Sequence, residues 1–239
     1  MKRFLIVALL LILAACQSPT GETHRTAPGD RIITIDGVKL AFTYCPSDKA
    51  MPGVILLHML GRNRGDYAEF AQRLHSEGFN VISIDFRGHG ESDGNVQEFT
   101  EQDFQDMVKD VKAAKDFLAE EGVTKVGIVG ASIGANVALQ YAVTDPAVAA
   151  LVLLSPGENY RGVTTEDVMP RYNNPVYLLA AEDDRDSAIA AKRLEELAHI
   201  SLLQVYPRGG HGTRLFATTR AERSVIEWLN HYLVRGAFK

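Results

Sequence analysis

The stretch Val126-Gly127-Ile128-Val129-Gly130-Ala131-Ser132-Ile133-Gly134-Ala135-Asn136-Val137-Ala138-Leu139-Gln140-Tyr141-Ala142 decides the fold. Val126–Val129 is a short, nearly continuous apolar run, the pattern of a strand covered on both faces. The segment after Gly134 carries Val137, Ala138, Tyr141 and Ala142 at helical spacing. A serine therefore sits between two glycines where a strand turns sharply into a helix. A turn that tight strains the serine backbone, and side chains at 130 and 134 would collide with the adjoining strand and helix. The helix also aims its first N–H groups at the serine, where negative charge would gather if its oxygen attacked a carbonyl.

Outward from this point, short apolar runs alternate with longer periodic segments, which is how a parallel sheet with crossover helices appears in a sequence. The runs are Val54–Leu57, Val81–Asp85, Leu151–Leu154, Val176–Ala180 and Leu202–Tyr206. The spacing predicts helices at about 66–78, 101–121, 133–144, 187–198 and 214–234. In the second of these, Phe104, Met107, Val108, Val111, Phe117 and Leu118 form one apolar face. Ahead of the alternating part, Ile32–Ile35 and Lys39–Tyr44 flank Asp36-Gly37, a hairpin signal. Only about twenty residues lie between Leu154 and Val176, so any inserted lid is expected to be very small.

Two further segments add to the serine turn. After Val54–Leu57 comes His58-Met59-Leu60-Gly61, and after Val81–Ile84 comes Asp85-Phe86-Arg87-Gly88-His89-Gly90-Glu91-Ser92. Together with Gly130-Ala131-Ser132-Ile133-Gly134, which matches G-x-S-x-G, they resemble the α/β-hydrolase fold family from about Arg31 to the C-terminus. The resemblance implies an α/β-hydrolase fold with a mostly parallel eight-stranded sheet, helices on both faces and little or no lid. It implies Ser132 as nucleophile, followed in chain order by an acid and then a histidine. It also implies that His58-Met59-Leu60-Gly61 acts like the His-Gly-x-Gly loop of many esterases, with Leu60 donating its backbone N–H to an oxyanion. Met59 departs from the usual glycine and is expected to crowd that loop. The D-x-R-G-H-G-x-S stretch is architectural in such proteins, which makes His89 a structural residue, and His58 reads the same way.

A serine hydroxyl is a poor nucleophile at neutral pH and needs a base that a third group orients. His211, in Gly209-Gly210-His211-Gly212 directly after the run ending at Tyr206, is poorly explained by packing and is the candidate base. His199 and His231 lie in or beside predicted helices and read as structural or solvated. The acid is sought in Ala180-Ala181-Glu182-Asp183-Asp184-Arg185-Asp186. Related hydrolases carry a Gly-x-x-Asp pattern here, which singles out Asp184, with Ala181 in the glycine's place. Asp183 stays open as the next choice and Glu158, after the run ending at Leu154, as a third. Asp186 reads as a cap for the following helix. The second oxyanion donor is expected from the amide after the nucleophile, Ile133. Arg62 and Arg64 read as a solvated pair beside the loop.

The N-terminus reads as a processing signal: Lys2-Arg3, an uninterrupted apolar run Phe4–Leu13, then Ala14-Ala15. Leu13-Ala14-Ala15-Cys16 resembles the lipobox of bacterial lipoproteins. This implies that residues 1–15 are a leader, that Cys16 is lipidated, and that 16–30 form a flexible tether to the domain at 31–239. Gln17 rather than Asp after the cysteine implies the outer membrane. With Cys16 acylated, Cys45 would be a lone thiol, with no internal disulfide and a place in the core. Of 239 residues, 46% are apolar and 23% charged, the proportions of one globular domain. The formal charge of −5, with no Lys/Arg-rich run, argues against nucleic acid as a partner.

These features point to a serine hydrolase acting on a small-molecule ester or thioester, with no cofactor and no metal required, and with a membrane contact only through the lipid anchor. A peptidase or acyltransferase of the cell envelope on the same scaffold stays open, as does a non-catalytic envelope binding protein, since fold does not fix function.

Overall fold

The computed structural model describes residues 30–235. The predicted leader, most of the tether and Cys16 lie outside the described residues. The chain opens with β1 (Arg31–Ile33) and β2 (Lys39–Cys45), followed by β3 (Gly53–Leu57), α1 (Ala68–Ser76) and β4 (Asn80–Ile84). Next come α2 (Glu101–Gln105), α3 (Met107–Glu120), β5 (Val126–Ala131), α4 (Ile133–Ala142) and β6 (Val148–Leu154). A small hairpin, β7 (Asn159–Tyr160) and β8 (Val163–Thr164), precedes β9 (Val176–Ala181), α5 (Arg185–Leu197) and β10 (Ser201–Tyr206). The described chain ends with α6 (Arg214–Thr218), α7 (Ala221–Leu229) and a π-helical turn at Asn230–Arg235.

One eight-stranded sheet runs in the order β1-β2-β4-β3-β5-β6-β9-β10. The β1–β2 and β2–β4 pairs are antiparallel, and every later neighbour is parallel. The inner strands are buried along their whole length because both faces are covered. In β3 the alternation is visible directly: Ile55 and Leu57 enter the core beneath α3, α4 and α5, while Val54 and Leu56 enter the core beneath α1 and α7. The carboxyl ends of β3, β5, β6 and β9 share one edge, where the predicted site residues begin.

Four expectations need correction. The helix expected at 101–121 breaks at Asp106, whose carboxylate is taken by Gln102 and Lys109. The helix expected at 214–234 breaks at Thr219, an extended residue whose hydroxyl accepts the Ala221 amide at 3.0 Å and so starts α7 afresh. The run at 202–206 is not covered on both faces: β10 is an edge strand, and Leu202 is 48% exposed. Cys45 is buried at the end of β2 as expected, but no cysteine among the described residues is free, so it is not the lone thiol that acylation of Cys16 would leave.

The inserted segment between β6 and β9 is small, as its length requires. It holds the β7–β8 hairpin and a single 3-10 turn at Met169–Arg171.

Candidate active site

Ser132 occupies the turn between β5 and α4 with φ 56 and ψ −124, a conformation that costs a non-glycine residue energy. Its amide donates to Leu154 O at 2.8 Å, which ties the turn to the end of β6. The glycines on either side are there because backbone passes where a side chain would stand. A Cβ at 130 would lie 2.2 Å from Gly134 O, and one at 134 would lie 2.5 Å from Leu57 O. That second contact also presses the start of α4 against the end of β3. The amides of the 58–61 loop and of the first turn of α4 thereby come to one place.

Leu60 follows Leu57 of that contact by three residues on the loop side, and Ile133 precedes Gly134 by one on the helix side. Ile133 opens α4, where first-turn amides have no intrahelical acceptor. Among the described residues the Leu60 amide has no acceptor in the protein, whereas the Arg62 amide closes the turn on Met59 O at 3.1 Å. Met59 does not crowd the loop. Its side chain lies over Gly212, where a Cβ would stand 2.2 Å from Met59 Sδ, so the bulk at 59 is matched by the lack of it at 212.

His211 follows β10 in a loop held from two sides. Asp183 accepts the amides of Gly209 and Gly210, each at 3.0 Å, and Ser155 Oγ accepts the Gly212 amide at 2.9 Å. Of the two aspartates left open, Asp184 meets the ring: its Oδ2 lies 2.7 Å from His211 Nδ1. Glu158 is exposed, and among the described residues only its carbonyl is engaged, with Thr165. Burial pushes the Asp184 carboxyl up, but hydrogen bonding to His211, Ser187 and Ser155 outweighs it and holds the group below its ordinary value. Asp184 therefore stays a carboxylate that accepts the Nδ1 proton, which leaves the lone pair of the neutral ring on Nε2. Among the described residues no hydrogen bond joins Ser132 Oγ to the imidazole, and Ser132 is only 7% exposed.

Three residues of the site were not anticipated. Ser155, fully buried with φ 49, holds the Gly212 amide; Ser187 Oγ stands 3.5 Å from His211 Nδ1; and the Tyr160 ring meets the imidazole edge-on at 6.3 Å. The one signal for Ser155 is its place after the apolar run ending at Leu154, at the carboxyl end of a parallel strand.

The remaining candidates are structural. His58 is completely buried; its Nδ1 donates to Met59 O at 2.7 Å and its Nε2 accepts the Phe86 amide at 3.0 Å. His89 packs on it at 5.0 Å. Arg64 is not solvated: it pairs with the buried Asp85, which also accepts the Arg64 and Glu91 amides. Arg62 is exposed and pairs with Asp66, four residues on. Arg87 joins Asp110 and Asp36. Asp186 lies in the first turn of α5 without capping it; Asp184 holds the N-cap position, with its side chain committed to His211. His199 accompanies Pro170 O, and His231 packs on Tyr232. Among the described residues no group of three or more His, Cys, Asp or Glu side chains could hold a metal ion.

The chain has the α/β-hydrolase fold. Residues 48–164, a little under half of it, match the serine aminopeptidase S33 family. An uncharacterised protein of Mycobacterium tuberculosis is 31% identical over 154 residues, covering 61% of this chain and 52% of the relative. The monoacylglycerol lipase of Mycolicibacterium smegmatis is 30% identical over 128 residues, 52% of this chain and 45% of that enzyme. The chain thus spans about half the length of the curated relatives it matches. An esterase structure from Pyrococcus furiosus superposes with a TM-score of 0.70 at 22% identity, covering 85% of this chain and 90% of the esterase.

Proposed function

We propose that this protein is a serine hydrolase that cleaves a carboxylic ester or thioester through an acyl-enzyme on Ser132. The observation that carries the reading is the 2.7 Å contact of His211 Nδ1 with Asp184, at the strand edge where Ser132 is held in a strained turn. Ser132 Oγ attacks the carbonyl carbon while His211 Nε2 takes its proton. The tetrahedral oxyanion is received by the amides of Leu60 and Ile133. The imidazolium then protonates the leaving alcohol or thiol, and water, activated by the same imidazole, releases the acid. The link from Ser132 Oγ to the imidazole forms with substrate in place, as such contacts commonly tighten in the Michaelis complex. The small β7–β8 insertion favours a soluble ester over bulk triglyceride.

Intact-mass analysis after fluorophosphonate treatment tests this. A single adduct on the wild type that is absent from Ser132→Ala is expected; labelling of both proteins, or of neither, overturns the assignment. The match to the serine aminopeptidase family favours one second reading, a peptidase. Rates on a p-nitrophenyl ester series set beside aminoacyl amides separate the two.

The same reading has the mature protein in a bacterial cell envelope, anchored to the outer membrane by lipid on Cys16, and so requires that acylation leave Cys45, which is not free in this structure, as a buried thiol. Metabolic labelling with radioactive palmitate is expected to mark the wild type and to be lost in Cys16→Ser; label retained in the variant would refute the anchor.

A further inference from the structure

We infer that Tyr160 is a positioning and specificity residue of this site: its ring roofs Ser132 and limits the acyl group, and its hydroxyl ties that roof to the acid–base pair through Ser187. The inference rests on the Ser132 hydrolase reading and adds to it a residue and a substrate class, esters of short, slender acids.

The roof is rigid. Arg161 and Gly162 form the two-residue turn of the β7–β8 hairpin, both with positive φ (56 and 87), which matches the twist of a tight hairpin. Asn136, on the first turn of α4 after Ser132, grips the base of the hairpin. Its Nδ2 donates to Gly157 O at 3.0 Å and to Val163 O at 2.8 Å, and its Oδ1 accepts the Gly157 amide at 3.1 Å. Gln140, one turn further on, donates to Thr164 O at 2.8 Å. The helix that begins at the nucleophile therefore also fixes the hairpin above it. The Tyr160 ring lies flat on Gly157, where a Cβ would come within 2.5 Å of Cζ, so the ring has a fixed seat. A side chain seated this way bounds a site; it does not swing like a lid.

The hydroxyl reaches the chemistry. Tyr160 OH lies 3.1 Å from Ser187 Oγ, and Ser187 Oγ in turn stands 3.5 Å from His211 Nδ1 and lies against the Asp184 carboxylate. The Ser132 hydroxyl also faces the phenol. Burial keeps the phenol protonated well into the alkaline range, so it acts as a hydrogen-bonding group and not as a base. Ser132 is 7% exposed and its hydroxyl faces this ring, so on this inference a long or branched acyl chain has to pass it.

The test measures kcat and KM on p-nitrophenyl esters from acetate to dodecanoate for the wild type, Tyr160→Phe, Tyr160→Ala and Ser187→Ala, with melting temperatures for each. The wild type is expected to favour acetate and butyrate. Tyr160→Ala raises the octanoate-to-acetate ratio of kcat/KM about tenfold or more, since a few methylenes of room discriminate on that scale. Tyr160→Phe keeps the wild-type ratio and lowers kcat about fivefold, the effect of one lost hydrogen bond, with KM little changed. An unchanged chain-length ratio in a folded Tyr160→Ala, or a relaxed ratio in Tyr160→Phe, overturns the inference. If Tyr160→Ala does not fold, the hydroxyl bridge decides: Tyr160→Phe, Ser187→Ala and their double variant losing the same factor supports it, and multiplicative losses overturn it. A wild type that neither hydrolyses esters nor takes the fluorophosphonate is a different result, for it removes the Ser132 reading itself.

Discussion

Asp183 and Asp184 are adjacent in the chain and serve His211 in different ways. Asp184 meets the imidazole, while Asp183 holds the backbone of the loop that carries it. Asp184→Asn keeps the size of the side chain but offers Nδ1 a donor group, which selects the wrong tautomer. It is expected to lower kcat on a short-chain ester by about 10³–10⁴-fold while the protein stays folded. Asp183→Ala leaves the tautomer intact and loosens the loop, for a loss nearer tenfold. A smaller effect at 184 than at 183, in the same ester assay, would reverse the two roles. Residue types at strand ends made Ser132, His211 and the acidic cluster stand out as candidates in the sequence, and the structure brings His211 and Asp184 of that cluster together. Choosing between two successive aspartates was beyond it on residue chemistry alone, because the choice depends on how the chain turns after β9. Ser187 was invisible, and Ser155 had only its place after a strand to mark it, for another reason: a buried serine that holds an amide or a carboxylate carries no pattern of its own.

The β5–α4 junction shows how an element places a site. Gly134 lets α4 start against Leu57 O and His58 O, and so sets the Ile133 amide beside the loop of Leu60. Gly134→Ala would put a Cβ 2.5 Å from Leu57 O and 2.7 Å from His58 O, and both neighbours are backbone that cannot turn aside. A cost of about 1–3 kcal/mol in urea unfolding is expected. Ester turnover should fall further than stability explains, since relief of the clash moves the two proposed oxyanion donors apart. Stability and turnover both near wild type would show that the junction has slack. The parallel strands were readable because burial on both faces demands continuous apolar runs. The breaks at Asp106 and Thr219 were not, since neither contains glycine or proline and each depends on a side chain capping or tethering its neighbours. The β7–β8 hairpin escaped as well, because strands of two residues give no periodicity to read.

At the scale of the whole molecule, the site edge is held together by buried polar groups whose protonation makes stability depend on pH. His58 is fully buried, and both its ring nitrogens are used in the neutral form. Burial pushes it down to about 4 from an ordinary value near 6.5. Between those values the unfolded chain binds a proton that the folded chain refuses, so stability rises with pH across the window. The contribution is complete above pH 6.5 and is lost as pH falls toward 4. A shift of this size corresponds to about 3 kcal/mol. Asp36 is held low chiefly by its hydrogen bonds from Arg87, so its contribution fades only below the ordinary aspartate range, outside this window. Asp110, which burial pushes up to about 6, acts in the opposite sense inside it. The informative quantity is therefore a difference. Urea unfolding of wild type and His58→Gln at steps from pH 7.5 to 4.5 is expected to show the wild type losing stability more steeply, with the two curves converging as pH falls. His58→Gln starts lower at pH 7.5, because glutamine cannot keep both the Met59 carbonyl and the Phe86 amide at the ring's geometry. Parallel curves across the window would mean that His58 takes up its proton without unfolding the chain, and that the β3 edge is more open to water than its burial indicates.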